Sequence, residues 1–181
     1  LPSDEAPFGH DYGEETAAVV ESEGCKYKIH DDRIREKKMR ILIVSDTHGR
    51  HDKFDKALEK AGKIDLMIHL GDIQDEEDYM ENASGCPVCM VAGNNDYFSD
   101  LPYERTEVIG GKKMFLTHGH SYAVHSGLRR LAEEGKRHQA EVVLFGHTHV
   151  PCVEEQEGIL FVNPGSLTYP RQEGHKPSYA I

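Results

Sequence analysis

Six short apolar runs, spread through residues 39–181 and each ending abruptly, constrain this chain more than any other feature. They are "ILIV" (41–44), "DLMIHL" (65–70), "PVCMVA" (87–92), "KMFLT" (113–117), "VVLF" (142–145) and "ILFV" (159–162). Each has strand length and is rich in β-branched residues or Leu. Helical periodicity falls between some of them. "HDKFDKALEKAG" places Phe54, Ala57, Leu58 and Ala61 on one face and stops at Gly62. "VHSGLRRLAEEGKRH" does the same with Val124, Leu128 and Leu131, and the acidic "DEEDYMEN" (75–82) reads as a solvated helix. "TEVIGGKKMFLT" contains a Gly-Gly turn of the kind that closes a hairpin, and "CVEEQEGILFV" reads the same way. Strands alternating with helices early and hairpins late predict an α/β fold whose sheets carry some antiparallel strands.

The residues just past each strand narrow the chemistry. "ILIV" runs into Ser45-Asp46-Thr47-His48-Gly49, and "DLMIHL" into Gly71-Asp72. "PVCMVA" runs into Gly93-Asn94-Asn95-Asp96, "KMFLT" into His118-Gly119-His120, and "VVLF" into Gly146-His147-Thr148-His149. Carboxyl ends of strands are where loops converge to build sites in layered α/β proteins. Asp, His and the Asn carbonyl are oxygen and nitrogen donors suited to manganese, iron, zinc or magnesium. Any one such tripeptide is common; five at successive strand ends point to a metal centre.

Composition sets the outer limits. The 181 residues suit one domain of ordinary size, and 38% hydrophobic with 29% charged residues fits a globular protein. No apolar run approaches the roughly 18–20 residues of a membrane helix, and no signal-peptide pattern opens the chain, so a cytoplasmic location is expected. The net charge of −11 argues against a broad grip on nucleic acid or anionic lipid. An acidic protein can still receive phosphate where bound cations invert the local field. Residues 1–38 read as an acidic N-terminal extension, with ten Asp/Glu against six Lys/Arg and little apolar periodicity; Met39 opens the domain, 39–181. The extension is either an added leader or a segment that packs on a neighbour. Cys86-Pro-Val-Cys89 has redox or zinc spacing but lacks a second such pair, so reduced, strand-embedded thiols are expected. The chain ends at "PSYAI", which reads as the start of an edge strand.

The ordered set Asp-x-His, Gly-Asp, Gly-Asn-x-Asp, His and Gly-His-x-His resembles the calcineurin-like metallophosphoesterase superfamily over about residues 39–181, and within it the small prokaryotic phosphodiesterases. The resemblance implies a four-layer αββα sandwich, two mixed sheets flanked by helices, holding two divalent ions. Carried over residue by residue, it implies Asp46, His48 and His149 on one ion, Asn94, His118 and His147 on the other, and Asp72 bridging both. Manganese is the first choice by ligand type, with iron, zinc, nickel and magnesium as alternatives. The implied reaction is hydrolysis of a small-molecule phosphate diester by metal-activated hydroxide. Small members of the superfamily often pair, so a homo-oligomer is an implied option, although no heptad or interface stripe marks one.

Three further residues are candidates for the chemistry. Where phosphatase relatives carry a His thought to protonate the leaving group, this chain has Asn95, which cannot act as an acid near neutral pH. Asp96 is expected to orient a neighbour, and His120 to orient His118 or touch substrate. Loss of a general acid typically costs about 10²–10⁴-fold, so activated leaving groups, and diesters over alkyl monoesters, are expected. His69 is expected to be a packed strand residue, and Arg50 either a helix-start cation or a phosphate contact. Asn163 and Ser166 of "VNPGS" are expected to make backbone hydrogen bonds in a turn near the site, with Arg171 a further candidate for substrate contact. The alternatives are a phosphomonoesterase or nucleotidase with the same metals, and a non-catalytic scaffold like the superfamily's retromer subunit, which keeps the fold and lacks the catalytic His.

Overall fold

A computed structural model of the chain describes residues 17–18 and 38–181. The elements in chain order are β1 (Ala17–Ala18), β2 (Ile41–Val44), α1 (His51–Ala61), β3 (Leu66–His69), α2 (Glu77–Ser84) and β4 (Val88–Met90). They continue with β5 (Glu104–Ile109), β6 (Lys112–Thr117), α3 (Arg129–Arg137), β7 (Val142–Leu144), β8 (Cys152–Gln156), β9 (Ile159–Asn163) and β10 (Tyr179–Ala180). One sheet has the order β1-β10-β2-β3-β4 and the other β5-β6-β7-β9-β8. In the first, β2, β3 and β4 run parallel and β10 pairs antiparallel with β2. In the second, β6, β7 and β9 are parallel, with antiparallel β5 and β8 at the edges. Both sheets are therefore mixed.

The layers follow from the alternation of side chains along each strand. Leu42 and Val44 face one way and pack with Phe54, Ala57 and Ala61 of α1 and Met80 of α2. Ile43, Ile68 and Cys89 face the other way and meet Met114, Leu116, Leu144 and Val162 of the second sheet. The outer face of that sheet, Phe115, Val143 and Phe161, is covered by Leu131 and Ala132 of α3. Helices, sheet, sheet, helix: the four-layer αββα arrangement is present.

Most expected elements sit where the apolar runs placed them, including both hairpins and the stop of α1 at Gly62, whose amide donates to the Leu58 carbonyl. Two differ. The helix expected from Val124 begins at Arg129, because the chain first makes two 3₁₀ turns, His120–Tyr122 and Val124–Ser126. Val124 still reaches the same apolar cluster as Leu131. The terminal strand is not an edge: β10 lies between β1 and β2. Apart from β1, the 1–38 extension lies outside the described residues up to position 37, and so does Cys25. Cys86, Cys89 and Cys152 are free thiols, and burial raises all three above the ordinary range, which leaves them poor nucleophiles. Among the described residues no helix is long and apolar enough to cross a membrane.

Two cavities open at opposite ends of the sandwich. The larger, about 520 Å³, lies between the sheets at the start of the parallel strands, with walls including Ile43, Ile68, Met114, Leu144 and Val162. The smaller, about 190 Å³, lies where those strands end, and is lined by His48, Asp72, Asn94, Asn95, His147, His149, Tyr169 and Arg171.

Candidate metal centre

Loops from both sheets build the smaller cleft by bonding to one another. The loop after β2 is joined to the loop after β3 through Asp46 N–H to Gly71 O (3.0 Å), His48 N–H to Asp72 O (2.9 Å) and Gly49 N–H to Ile73 O (2.9 Å). The loop after β4 joins through Asp96, whose carboxylate accepts from the amides of Asp72, Ile73, Gln74 and Gly93 at 2.7–2.8 Å. Asp96 is thus an anchor of backbone, and it does not line the cleft. The second sheet attaches through Gly146 N–H to His118 O (3.0 Å) and His147 N–H to Asp46 Oδ2 (3.2 Å). Asn163 donates to Gly146 O and Ser166 Oγ to Asp46 O, so both residues of "VNPGS" make backbone hydrogen bonds beside the site.

Two glycines are required by close approach. A Cβ at position 93 would lie 2.2 Å from Asp72 Oδ1, and one at 146 would lie 2.0 Å from Ser45 Oγ. Asp46, His48, Asp72, His147 and His149 all have φ between 50 and 67°. Left-handed backbone at a non-glycine residue costs on the order of 1–3 kcal/mol, so the surrounding hydrogen bonds must hold these five in place.

The side chains converge. Ligating atoms of Asp46, His48, Asp72 and His149 all lie within 4.8 Å of one another. His118 Nε2 is 3.5 Å from Asp72 Oδ2 and 3.9 Å from Asp46 Oδ1, and His147 Nδ1 is 3.3 Å from His118 Nε2. Asn94 lines the same cleft, its Oδ1 buried and accepting no hydrogen bond. The tautomers decide what this cluster can hold. His118 Nδ1 is 2.7 Å from Leu70 O, and His149 Nδ1 is 2.7 Å from Tyr169 O. Each Nδ1 therefore carries the proton in the neutral ring and turns the Nε2 lone pair inward. His149 Nε2 then points at Asp46 Oδ1 from 3.0 Å and lies 3.4 Å from His48 Nε2. Acceptors turned on acceptors repel unless a cation lies among them, and this donor set fits divalent ions of the manganese, iron or zinc type.

Electrostatics divide the rings. Burial opposes protonation of His118, yet the carboxylates of Asp72 and Asp46 outweigh it and raise the ring above its ordinary value, so a cation among these atoms would have to displace that proton. Burial opposes ionisation of Asp46, yet the imidazoles of His149 and His118 outweigh it and hold the carboxyl below its ordinary value. Burial likewise opposes Asp72, whose carboxyl His118 and the two Asn95 donors hold well below the usual range. Burial pushes His48 down, and pushes His147 down to about 4 with help from His118 and His125. Both rings are thus neutral and ready to ligate at neutral pH.

The remaining candidates are placed as follows. Asn95 donates to Asp72 twice, from its backbone N–H to Oδ1 (2.9 Å) and from Nδ2 to Oδ2 (2.7 Å). It clamps the carboxylate. His120 stands 5.6 Å, ring to ring, from His118, so the orienting role expected of it falls instead to the Leu70 carbonyl. Arg50 pairs with Asp52 at the helix start and does not line the cleft. Sequence reasoning missed Tyr169, whose ring lies 5.1 Å from His48, and His125, 4.8 Å from His147. The available signal was position: Tyr169 lies just past "NPGS", and His125 closes the histidine-rich "HGHSYAVH".

His69 is fully buried and outside the ligand set. Its Nδ1 accepts from Gly71 N–H (3.2 Å), which leaves Nε2–H to donate to Thr47 Oγ1 (3.0 Å). Burial pushes it down to about 4. The unfolded chain protonates this ring near pH 6.5 while the folded one does not, so stability falls as pH drops from about 6.5 towards 4. Between pH 7 and 5 the loss from this residue is about 2 kcal/mol. Urea unfolding of the metal-free protein at both pH values should show it, with the pH difference smaller by that amount in His69→Gln.

Comparison with known proteins matches residues 39–181 to a model described as the calcineurin-like phosphoesterase superfamily domain. The chain is 33% identical over 144 residues to the probable metallophosphoesterase YsnB of Bacillus subtilis, covering 79% of this chain and 83% of that protein. Among solved structures, Vps29 of Chaetomium thermophilum superposes with a TM-score of 0.64 at 26% identity, covering 77% of this chain and 78% of that one. A structure described as a novel archaeal phosphodiesterase superposes with a TM-score of 0.56 at 26% identity, covering 70% and 83%.

Proposed function

The chain belongs to the calcineurin-like phosphoesterase superfamily, and from that premise we propose that it is a two-metal phosphodiesterase acting on small phosphate esters with good leaving groups. The observation that carries this reading is the inward-facing acceptor set of Asp46, His48, Asp72, His118, His147 and His149, with the unpartnered Asn94 oxygen beside it. Asp46, His48 and His149 would hold one ion, Asn94, His118 and His147 the other, with Asp72 between; manganese is the proposed metal on ligand type. Bound there, the ions would supply Lewis acidity towards phosphate and an activated water.

The chain's own residues shape the rest. Leu70 O and Tyr169 O keep the Nε2 atoms of His118 and His149 free to ligate. Asp96 holds the amides of the Asp72 loop in register. Asn95 has both donors on Asp72 and no ionisable proton, so it cannot assist the leaving group. That favours aryl and other acidic leaving groups, and diesters over alkyl monoesters.

Paired rates on bis(p-nitrophenyl) phosphate and p-nitrophenyl phosphate with manganese added test the reading; the diester should be preferred, and a clear monoester preference would instead mark a monoesterase. Asn95→His should raise the ratio of alkyl-ester to nitrophenyl-ester rates at least about tenfold, even if the lost clamp on Asp72 lowers the absolute rates. An unchanged ratio removes the leaving-group explanation.

A scaffold without turnover is the second reading, favoured by Tyr97 and Phe98, which follow Asp96 directly and are 77% and 90% exposed. The likeness to Vps29 adds to it. Hydrolysis of no ester at any added metal, with metal bound, would select the scaffold.

A further inference from the structure

We propose that Arg171 is the phosphate-binding cation of this site, its guanidinium taking phosphoryl oxygens that enter the cleft beside the ligand cluster. The proposal rests on the reading of the cleft as a phosphoesterase centre and adds the residue that receives the anion. Three observations carry it.

Placement comes first. Arg171 shares the cleft with His48, Asp72, His147 and His149 and is the one Arg or Lys among the described residues lining it. Its backbone is held by the site itself: Arg171 N–H donates to His149 O (3.0 Å), and the His149 ring donates from Nδ1 to Tyr169 O (2.7 Å). His149 thus grips the tripeptide 169–171 by its main chain at one end and its side chain at the other. Upstream, Thr168 Oγ1 donates to Thr47 O and Tyr169 N–H to Ser166 Oγ, both at 2.8 Å. The segment carrying Arg171 is built into the ligand loops.

Pairing is the second. In a chain of net charge −11, a surface guanidinium ordinarily finds a carboxylate. Arg50, Arg105, Arg129 and Arg137 each do; Arg40 donates to Ala61 O instead, and Arg130, exposed on α3, pairs with no carboxylate among the described residues but does not border the cleft. The Arg171 guanidinium makes no hydrogen bond or ion pair among the described residues, although it borders a cleft containing Asp72. Its planar set of donors matches phosphate oxygens bidentately.

Size is the third. At about 190 Å³ the cleft is smaller than the roughly 300–1,000 Å³ of typical ligand pockets. It suits a phosphate with the first atoms of its ester groups, which puts the phosphoryl group within reach of the side chain of Arg171, a residue lining the cleft. The ester groups would extend over the rim, where Tyr169 is 52% exposed.

Inorganic phosphate is the probe, titrated into manganese-loaded full-length protein and followed by calorimetry and by ³¹P line broadening. Arg171→Ala should weaken phosphate binding at least about tenfold, while manganese stoichiometry and melting temperature stay at wild-type values. Arg171→Lys should fall between the two. Guanidinium ion added to Arg171→Ala should restore part of the phosphate binding and, on bis(p-nitrophenyl) phosphate, part of kcat/KM; a merely structural role would show no such rescue. Wild-type phosphate affinity in Arg171→Ala, or no phosphate binding by the wild type, overturns the proposal. Turnover by the wild type with an unaffected Arg171→Ala overturns it and leaves the phosphodiesterase reading standing. Arg171-dependent phosphate binding without turnover of any ester does the reverse.

Discussion

Asp96→Ala is expected to lower the free energy of unfolding by about 4 kcal/mol, the largest stability effect of any substitution near the site. One carboxylate accepts from four backbone amides, those of Asp72, Ile73, Gln74 and Gly93, and it is only 5% exposed. Each buried donor left without an acceptor costs about 1–3 kcal/mol; relaxation and entering water keep the sum towards the lower end. Asp96→Asn should cost less, because an amide oxygen can still accept from part of the set. Urea denaturation with a constant m-value checks the magnitude. Asp72 and Gly93 share this anchor, so manganese affinity should fall in the same variant, by about 10–100-fold as for other partners that orient ligands. A loss below about 1 kcal/mol would mean the loops hold without it.

Asp72→Asn is expected to give the largest functional loss. The carboxylate lies 3.7 Å from His48 Nε2 and 3.5 Å from His118 Nε2, between the two proposed ligand groups. Exchanging it for an amide keeps the shape and removes the charge that the two proposed cations would share. Metal content should drop from about two ions per chain to one or fewer, and hydrolysis by on the order of 10³-fold, equivalent to about 4 kcal/mol of transition-state stabilisation. Metal analysis by mass spectrometry and the nitrophenyl diester assay give both values. Folding should be affected far less than by Asp96→Ala, since the one backbone amide that the Asp72 carboxylate accepts from, among the described residues, is that of Asn95. The contrast between the two variants separates an anchor of backbone from a holder of ions.

Much of the site was legible in the residue order because metal-ligand chemistry draws on few side chains. The strand ends marked where Asp, Asn and His gather, since short apolar runs announce where a strand stops and a loop begins; the choice of Asp46, His48, Asp72, Asn94, His118, His147 and His149 among them came from the family resemblance. The role of Asn95 was half legible. Its inability to donate a proton follows from the side chain, but its two bonds to Asp72 depend on a partner 23 positions earlier. His120 shows the opposite case. Proximity in sequence suggested that it orients His118 or touches substrate; a carbonyl 48 positions away, Leu70 O, holds the His118 Nδ1. The helix at Arg129 started later than the apolar spacing suggested because Ala123 and Gly127 take up positive φ and break the turn.

By itself, the order of amino acids determined the donor types, the strands that deliver them and the α/β class, and the four layers came with the family resemblance. Donor types, strands and class depend on side-chain chemistry and on alternation over a few neighbouring residues. Only the tertiary structure decided which lone pair His118 and His149 turn inward, that five of the candidate ligands sit on left-handed backbone, and that Arg171 lines the cleft unpaired among the described residues. Those features arise from hydrogen bonds between loops of both sheets, some more than 100 positions apart, and no local pattern of residues encodes them.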